Sequence, residues 1–345
     1  IPDTWLNLHR HTNLRRYLLK HTKILEISLF PASFFPNVNF GYANLCIITL
    51  QKSFDTEECL KNRFSVITGF KKPEQLVTHD QAVVKHHEFS QISVLNNIDS
   101  ALFVSDDERI HISINQAEQR IGDVADCVTG FYSGNDKKYL RTISDEAKNS
   151  KKYFKLPPEL ICRDYLNRTD ILDGIDDEAC FVPIVKGGNV KFIKSGTWYI
   201  DWGVEAVESY KTDQKARFQN SRFYFKTGIG VPMISSSQIT ASLMEDKIFD
   251  QSIVGIFPRE AHLVNFLLAF FNSSTCNRLI RTINPSANNP ANYIKKVPFL
   301  QPSSALLKKV NNLVQNILAE VRDTGHYNPN YEREINSLFA ELYKL

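Results

Sequence analysis

Apolar residues recur along the chain with three different periods, and each period predicts a different element. In "TNLRRYLLKHT" (Thr12 to Thr22), Leu14, Tyr17, Leu18 and then Ile24 repeat at three or more with basic residues between them, which predicts a helix. "KILEISLF" and "ANLCIITLQ" are apolar runs of strand length, separated by a Phe-Pro and Gly-containing connection. Residues 53–118 read as a connecting region of polar, helix-like pieces, and a boundary near 115–121 divides the chain into 1–118 and 119–345. The second part opens with "RIGDVADCVTGFYSGNDKKYL", a short helix-like run followed by a turn at Ser133–Asp136. In "VKGGNVKFIKSGTWYIDWG", strand alternation puts Trp198 and Trp202 on one face and Tyr199 on the other, so at least one tryptophan belongs to a core. At the carboxyl end, Leu307, Val310, Leu313, Val314, Ile317, Leu318 and Val321 form a helical stripe, with Ser303 or Ser304 as cap and Gly325 beyond the end. A second helix after Asn328-Pro329 aligns Ile335, Leu338, Phe339 and Leu342, and packing against the domain body is favoured over a subunit seam because no long heptad run is present.

Composition adds limits rather than a function. The 345 residues are 43% hydrophobic and 23% charged, enough for a sizeable core. No apolar run approaches the roughly 20 residues of a membrane span, so no membrane partner is expected and a cytoplasmic location is. The six cysteines lack C-x-x-C pairing and read as buried free thiols, with no metal expected. His86-His87 reads as solvated, because adjacent residues do not share a face. The formal charge of +3 is small, but residues 181–300 carry 14 Lys and Arg against 8 Asp and Glu, a basic middle that points modestly to a polyanion.

Two longer patterns resemble a known family. "LRRYLLKHTKILEISLFPASFFPNVNFGYANLCIITLQK" is similar to the end of the catalytic domain of gamma-class adenine-N6 DNA methyltransferases, including those fused to restriction enzymes. Downstream, an ordered succession resembles their target-recognition domain: Ile121, Gly130, Gly134, Lys137; Pro183, Lys186, Gly187, Gly188, Trp202; Tyr224 to Gly228; Ser235 to Ser237; Asn272-Ser273, Asn284-Pro285, Val297-Pro298. Together they cover nearly the whole chain. The implied fold is mixed α/β: the end of a Rossmann-like methyltransferase domain, then a mixed α/β target-recognition domain closed by a helical hairpin.

The resemblance implies that Phe35, before Pro36, stacks on a flipped adenine, with Phe30-Pro31 as a second candidate and an ordinary core phenylalanine as the alternative. It further implies double-stranded DNA as partner and S-adenosylmethionine as the parent enzyme's cofactor. None is expected on this chain, because neither a Gly-rich cofactor turn nor an Asn/Asp-Pro-Pro-Tyr/Phe motif is visible. "TGIG" at 227–230, "NPSA" and "NPAN" are poor substitutes. The chain therefore reads as a piece starting downstream of those motifs, its catalytic half on an upstream segment or subunit, in a restriction–modification or related phage-defence system. The alternative is a non-catalytic DNA specificity subunit, although no internal repeat is present.

DNA contacts need phosphate binders and base readers. Candidates are Lys186 with Gly187 and Gly188, whose amides would admit a phosphate, against a plain hairpin turn; Lys226, Thr227 and Gly228; Ser235 and Ser236; and Asn288 and Asn289, in a segment that turn chemistry also explains. No catalytic residue is assigned. The E-x-K triplets Glu146–Lys148 and Glu245–Lys247 are read as chance matches to a nuclease pattern.

Overall fold

The computed structural model describes residues 1–37, 44–78, 84–105, 107–144, 149–194, 196–235, 238–284 and 287–345. It divides into two compact units, Ile1–Ala117 and Glu118–Leu345. Both mix helices and strands.

In the first unit, helix α1 (Thr12–His21) runs directly into strand β1 (Thr22–Pro31). β1 pairs antiparallel with β2 (Asn44–Lys52) and parallel with β3 (Arg63–Thr68), and β3 pairs antiparallel with β4 (Lys85–Ser90). The sheet order is β2-β1-β3-β4. A core of Leu6, Leu19, Ile24, Ile27, Phe64, Val66 and Val94 lies against it.

Two buried polar side chains fix the helix on the sheet. Arg15 donates to the carbonyls of Trp5 (2.6 Å), Leu8 (2.8 Å), Asp99 (2.8 Å) and Ser100 (3.0 Å). Gln91, the first residue of helix α2 (Gln91–Asn96), accepts from the Ile24 amide (2.7 Å) and donates to the Leu19 and Thr22 carbonyls (2.8 and 2.9 Å). Each pays for its burial by satisfying backbone groups where a helix turns into a strand and the ladders stop.

The second unit holds two five-stranded sheets. One runs β10-β13-β12-β15-β6, built from β6 (Ala125–Thr129), β10 (Phe192–Ile193), β12 (Gly228–Pro232), β13 (Ser242–Met244) and β15 (Ile253–Pro258). The other runs β14-β9-β11-β7-β8, from β7 (Leu140–Thr142), β8 (Phe154–Lys155), β9 (Phe181–Val185), β11 (Trp198–Asp201) and β14 (Ile248–Phe249). A short pair, β5 (Gln119–Arg120) with β16 (Pro298–Phe299), brings residues from both ends of the unit together.

Both Trp198 and Trp202 are buried, and the Trp202 indole N–H donates to the Ile171 carbonyl (2.6 Å). Phe131, Tyr210, Phe218 and Tyr224 pack around Trp202 with ring centroids 5.8–6.1 Å away. Helix α3 (Val204–Thr212) contributes Tyr210 to this cluster.

Helices α4 (Val264–Asn272) and α5 (Ser274–Ile283) are covered by the terminal hairpin of α6 (Ser304–Thr324) and α7 (Pro329–Tyr343). Ser303 caps α6 by accepting from the Leu306 amide (3.2 Å), and Gly325 ends it at φ 76°. Phe339 of α7 meets Phe266 and Phe270 of α4 (5.1 and 5.3 Å), so this stripe is core rather than free surface. The six cysteines are free thiols, five buried and Cys180 half-buried. His86 is exposed, while His87 is half-buried with its Nε2 3.0 Å from the Thr68 hydroxyl. Among the described residues, no helix is long and apolar enough to cross a membrane and no group of three His, Cys, Asp or Glu could hold a metal.

Candidate nucleic-acid interface

The Lys-Gly-Gly segment follows β9, whose residues are too buried to leave an adjoining side chain fully in solvent. Lys186 turns inward. Its ammonium lies 2.5 Å from an Asp136 carboxylate oxygen and 3.2 Å from one of Asp250, which is 5% exposed. Burial pushes this lysine down, but the two carboxylates push it up by more, and the net is above the ordinary lysine value. Lys186 is therefore neutralised inside the protein, which corrects the expectation that it presents a charge to a phosphate. Asp136 is itself held by the Ser133 hydroxyl (2.8 Å), and the Asp250 amide donates to the Val185 carbonyl (2.8 Å). The segments around Ser133, Val185 and Asp250 thus meet in one lock.

Gly187 and Gly188 have φ of 42° and 93°, so the turn needs residues without a side chain. The Gly187 amide is already taken, donating to the Ser252 hydroxyl (3.1 Å). The cation beside the glycines is Lys194, not Lys186. Its Nζ donates to the Lys186 carbonyl and lies 3.1 Å from where a side chain on Gly188 would begin. Burial pushes the Lys194 ammonium down to about 8, against the pull of Asp250 and with the repulsion of Lys186.

Ser252 links this turn to a second loop, since its carbonyl accepts the Met233 amide (2.8 Å). Ser235 and Asn289, both expected to face DNA, point inward instead. The Ser235 amide donates to the Ala287 carbonyl (2.8 Å), its hydroxyl to the Gln238 carbonyl (2.5 Å), and its carbonyl accepts from Arg281 (2.7 Å). Asn289 donates through its amide to the Met233 carbonyl (2.6 Å) and accepts from Arg281 (3.2 Å). The Asn284 side chain adds a bond to the Asn288 carbonyl (2.7 Å). Buried polar side chains with this many partners serve to tie loops together.

Locked from beneath, the loops present a different set of residues to solvent: Gly188, Asn189, Val190, Gln251, Ala287, Asn288 and Ile234, the last 72% exposed. Ile234 and Asn288 are antiparallel bridge partners, so an apolar and an amide side chain stand side by side. Of the predicted residues, Gly188 and Asn288 are brought to this surface. Ser236 lies outside the described residues, as does Glu146–Lys148.

The remaining candidates lie elsewhere. Lys226 and Thr227 are exposed at the other end of β12, and Gly228 is buried inside that strand. Glu245 is paired with Arg322 (2.8 Å) in the turn between β13 and β14, and among the described residues no group of three His, Cys, Asp or Glu that could hold a metal occurs there. Phe35, in the first unit, is 47% exposed four residues past the end of β1, with its ring centroid 6.5 Å from that of Phe30.

No family model matches the chain, and no curated protein matches it. Among solved structures it is similar to the type IIG restriction endonuclease BpuSI, at 12% identity and a TM-score of 0.39 over 99% of this chain and 46% of that one. It is also similar to the type IIL restriction-modification enzyme MmeI, solved in complex with DNA, at 15% identity and a TM-score of 0.46 over 97% and 45%. The chain spans less than half the length of either.

Lys194, Ile234 and Arg281 were not singled out from the sequence. Lys194 sits eight residues after Lys186, beyond a turn whose geometry the sequence does not display. Ile234 closes the apolar run Val231-Pro232-Met233 just before three serines, and nothing in that run distinguishes an exposed isoleucine from a core one.

Proposed function

We propose that this chain is the DNA-recognition part of a restriction–modification enzyme of the gamma-class adenine-N6 methyltransferase type. The observation that carries the reading is the convergence of three separated segments of the recognition-domain pattern, around Gly188, Ile234 and Asn288, on one surface tied together by Ser252 and Arg281. Asn288 supplies an amide of the type that pairs with a base edge, Ile234 an apolar contact, and Lys194 a cation for the backbone.

In the first unit, Phe35 follows a strand that runs parallel to β3, so it stands at the carboxyl end of that pair, where open α/β sheets place their ligands. A flipped adenine would find a ring face there, as expected of the end of a Rossmann-like domain. The parent enzyme's S-adenosylmethionine does not fit the residues present. The "TGIG" glycines lie within β12, where a side chain on Gly228 would meet the Phe257 ring at 2.6 Å, so they pack a sheet and cradle no nucleotide. The methyl-transfer step falls to an upstream half or subunit, in a cytoplasmic defence system.

The test is selection from a randomised 20-bp duplex library, followed by affinity measurements on an enriched sequence and on a scrambled one at several salt concentrations. The reading expects a preference for the enriched sequence and an affinity that falls linearly in log salt. Absence of salt-dependent binding overturns it. Enrichment of a two-part site would instead favour the non-catalytic specificity subunit.

A further inference from the structure

β12 has the loop cluster at one end and a groove at the other. Thr227 precedes β12, and Pro258 ends its antiparallel neighbour β15. Here a groove of about 680 Å³ opens between that sheet end and the amino ends of α4 and α6. Its polar lining is Thr227, Arg259, His262, Asn265, Ser304, Lys308 and Asn311, three of them cationic or able to become so, and among the described residues no carboxylate lines it.

The walls are held in place. Arg259 donates to the Gly122 carbonyl (3.1 Å) and to that of Asp123, with Asp126 3.8 Å away, so its guanidinium stays at the rim while half its surface remains in water. The Asn265 side chain donates to that of Asn311, joining α4 to α6 across the floor. His262 has Glu260 at 3.4 Å, outside the lining. Thr227 lines it from the sheet side and Lys308 from the helix side.

We infer that this groove is a second nucleic-acid contact, a seat for backbone phosphates of the duplex whose bases the loop cluster meets. The inference rests on the proposed DNA-recognition role. A fixed guanidinium, an exposed ammonium, hydroxyls and amide side chains around a cleft that no described carboxylate lines suit phosphodiester oxygens, which need several donors and no shape-specific pocket. Two helix amino ends facing the same cleft add partial positive charge.

The experiment uses the full chain and a fluorescent 20-bp duplex, comparing wild type with Lys308→Gln and, independently, Thr227→Asp. Lys308 is exposed on α6, so its replacement leaves the fold intact, and circular dichroism checks both variants. Loss of one phosphate contact should flatten the slope of log affinity against log salt by about 0.9. The wild-type advantage over Lys308→Gln is then about 3.5-fold larger at 50 mM than at 200 mM salt, from the same slope. Preference for the enriched sequence over the scrambled one should not change. Thr227→Asp, which brings a carboxylate into the cleft from the opposite wall, should weaken both sequences equally and by more. If wild type binds DNA and both variants keep its affinity and slope, the groove is not a phosphate seat and the recognition reading stands. If wild type itself shows no salt-dependent binding, the recognition reading fails first. Relief of binding by inorganic pyrophosphate in wild type but not in Lys308→Gln would assign the groove to free polyphosphate and overturn the duplex assignment.

Discussion

Replacing Lys186 by methionine separates a structural lysine from a DNA-binding one. Methionine keeps most of the side-chain length and removes the charge, leaving Asp250, almost wholly buried, and Asp136 without the ammonium that bridges them. Removing one partner of a fully buried ion pair costs about 3–5 kcal/mol. Here Lys186 and Asp136 retain 23% and 22% side-chain exposure, so water screens part of the loss and about 2–4 kcal/mol is expected. For a unit of this size that lowers the melting temperature by roughly 5–12 °C. Lys186→Met with Asp250→Asn should recover about half of the loss, because Asn retains the oxygen that accepts the Ser252 amide (2.9 Å) while removing the buried charge. Differential scanning calorimetry on the three proteins gives the numbers. The result that refutes this reasoning is a Lys186→Met protein melting within about 1 °C of wild type, with DNA affinity lost and a salt slope flatter by about 0.9. Lys186 would then be the phosphate ligand that its place beside two glycines suggests.

Four further outcomes are expected. With Lys194 pushed down to about 8 against an unfolded value near 10.5, the unfolded chain binds more protons between those limits, so this residue makes stability rise with pH across that window; urea titrations at pH 7 to 10 should show the rise in wild type relative to Lys194→Met. DNA affinity that depends on Lys194 should decline over the same span, beginning near pH 8 as the ammonium is lost. Asn272→Ala removes a buried amide that accepts from the Ala241 N–H (2.9 Å) and donates to the Ala241 and Leu268 carbonyls (2.8 and 2.9 Å), and should cost about 3 kcal/mol in urea denaturation. Phe35→Ala, at a half-exposed site, should change stability by less than about 1 kcal/mol but reduce 2-aminopurine fluorescence at the target position in the complete enzyme; unchanged fluorescence would remove Phe35 from the base pocket.

The terminal helices and β1 were legible because their signals are periodic and local, whereas β3 and β4 lie in the stretch read as connecting, helix-like pieces. The α6 stripe, its Ser303 cap and its Gly325 stop each occur where a helix needs them, and the apolar run of β1 needs only a sheet to lie in. Asn272-Ser273 was legible as a pattern but not as a device: Asn272 acts as an extra rung on the residue leading into β13, and Ser273 caps α5. The candidate site was legible only as a set of segments. Ser235, Asn288 and Asn289 have the same polarity in a sequence, and whether each serves its own backbone or the solvent depends on a partner far along the chain. Arg281, the shared partner of Ser235 and Asn289, lies in a helix with an ordinary amphipathic pattern. Lys186 misleads for the same reason, since its two carboxylates lie 50 residues before it and 64 after.

The strand between the two regions proposed to meet DNA makes their independence a measurable quantity. β12 is five residues long, about 17 Å, and carries Thr227 just before it and Ile234 just after it. Ile234 lies in the loop after β12, whereas Lys308 lies on α6 and lines the groove at the Thr227 end of that strand. Substitutions at separated sites without shared partners add to within about 0.3–0.5 kcal/mol. Ile234→Ala should therefore reduce the preference for the enriched sequence at an unchanged salt slope, and Lys308→Gln should flatten the slope at an unchanged preference. The double variant should show both losses at full size. A coupling above about 1 kcal/mol in this cycle would mean that base reading and phosphate seating are one event, as when a protein must bend DNA to reach its bases. A rigid β12 acting only as a spacer would then be the wrong account of how the two ends work together.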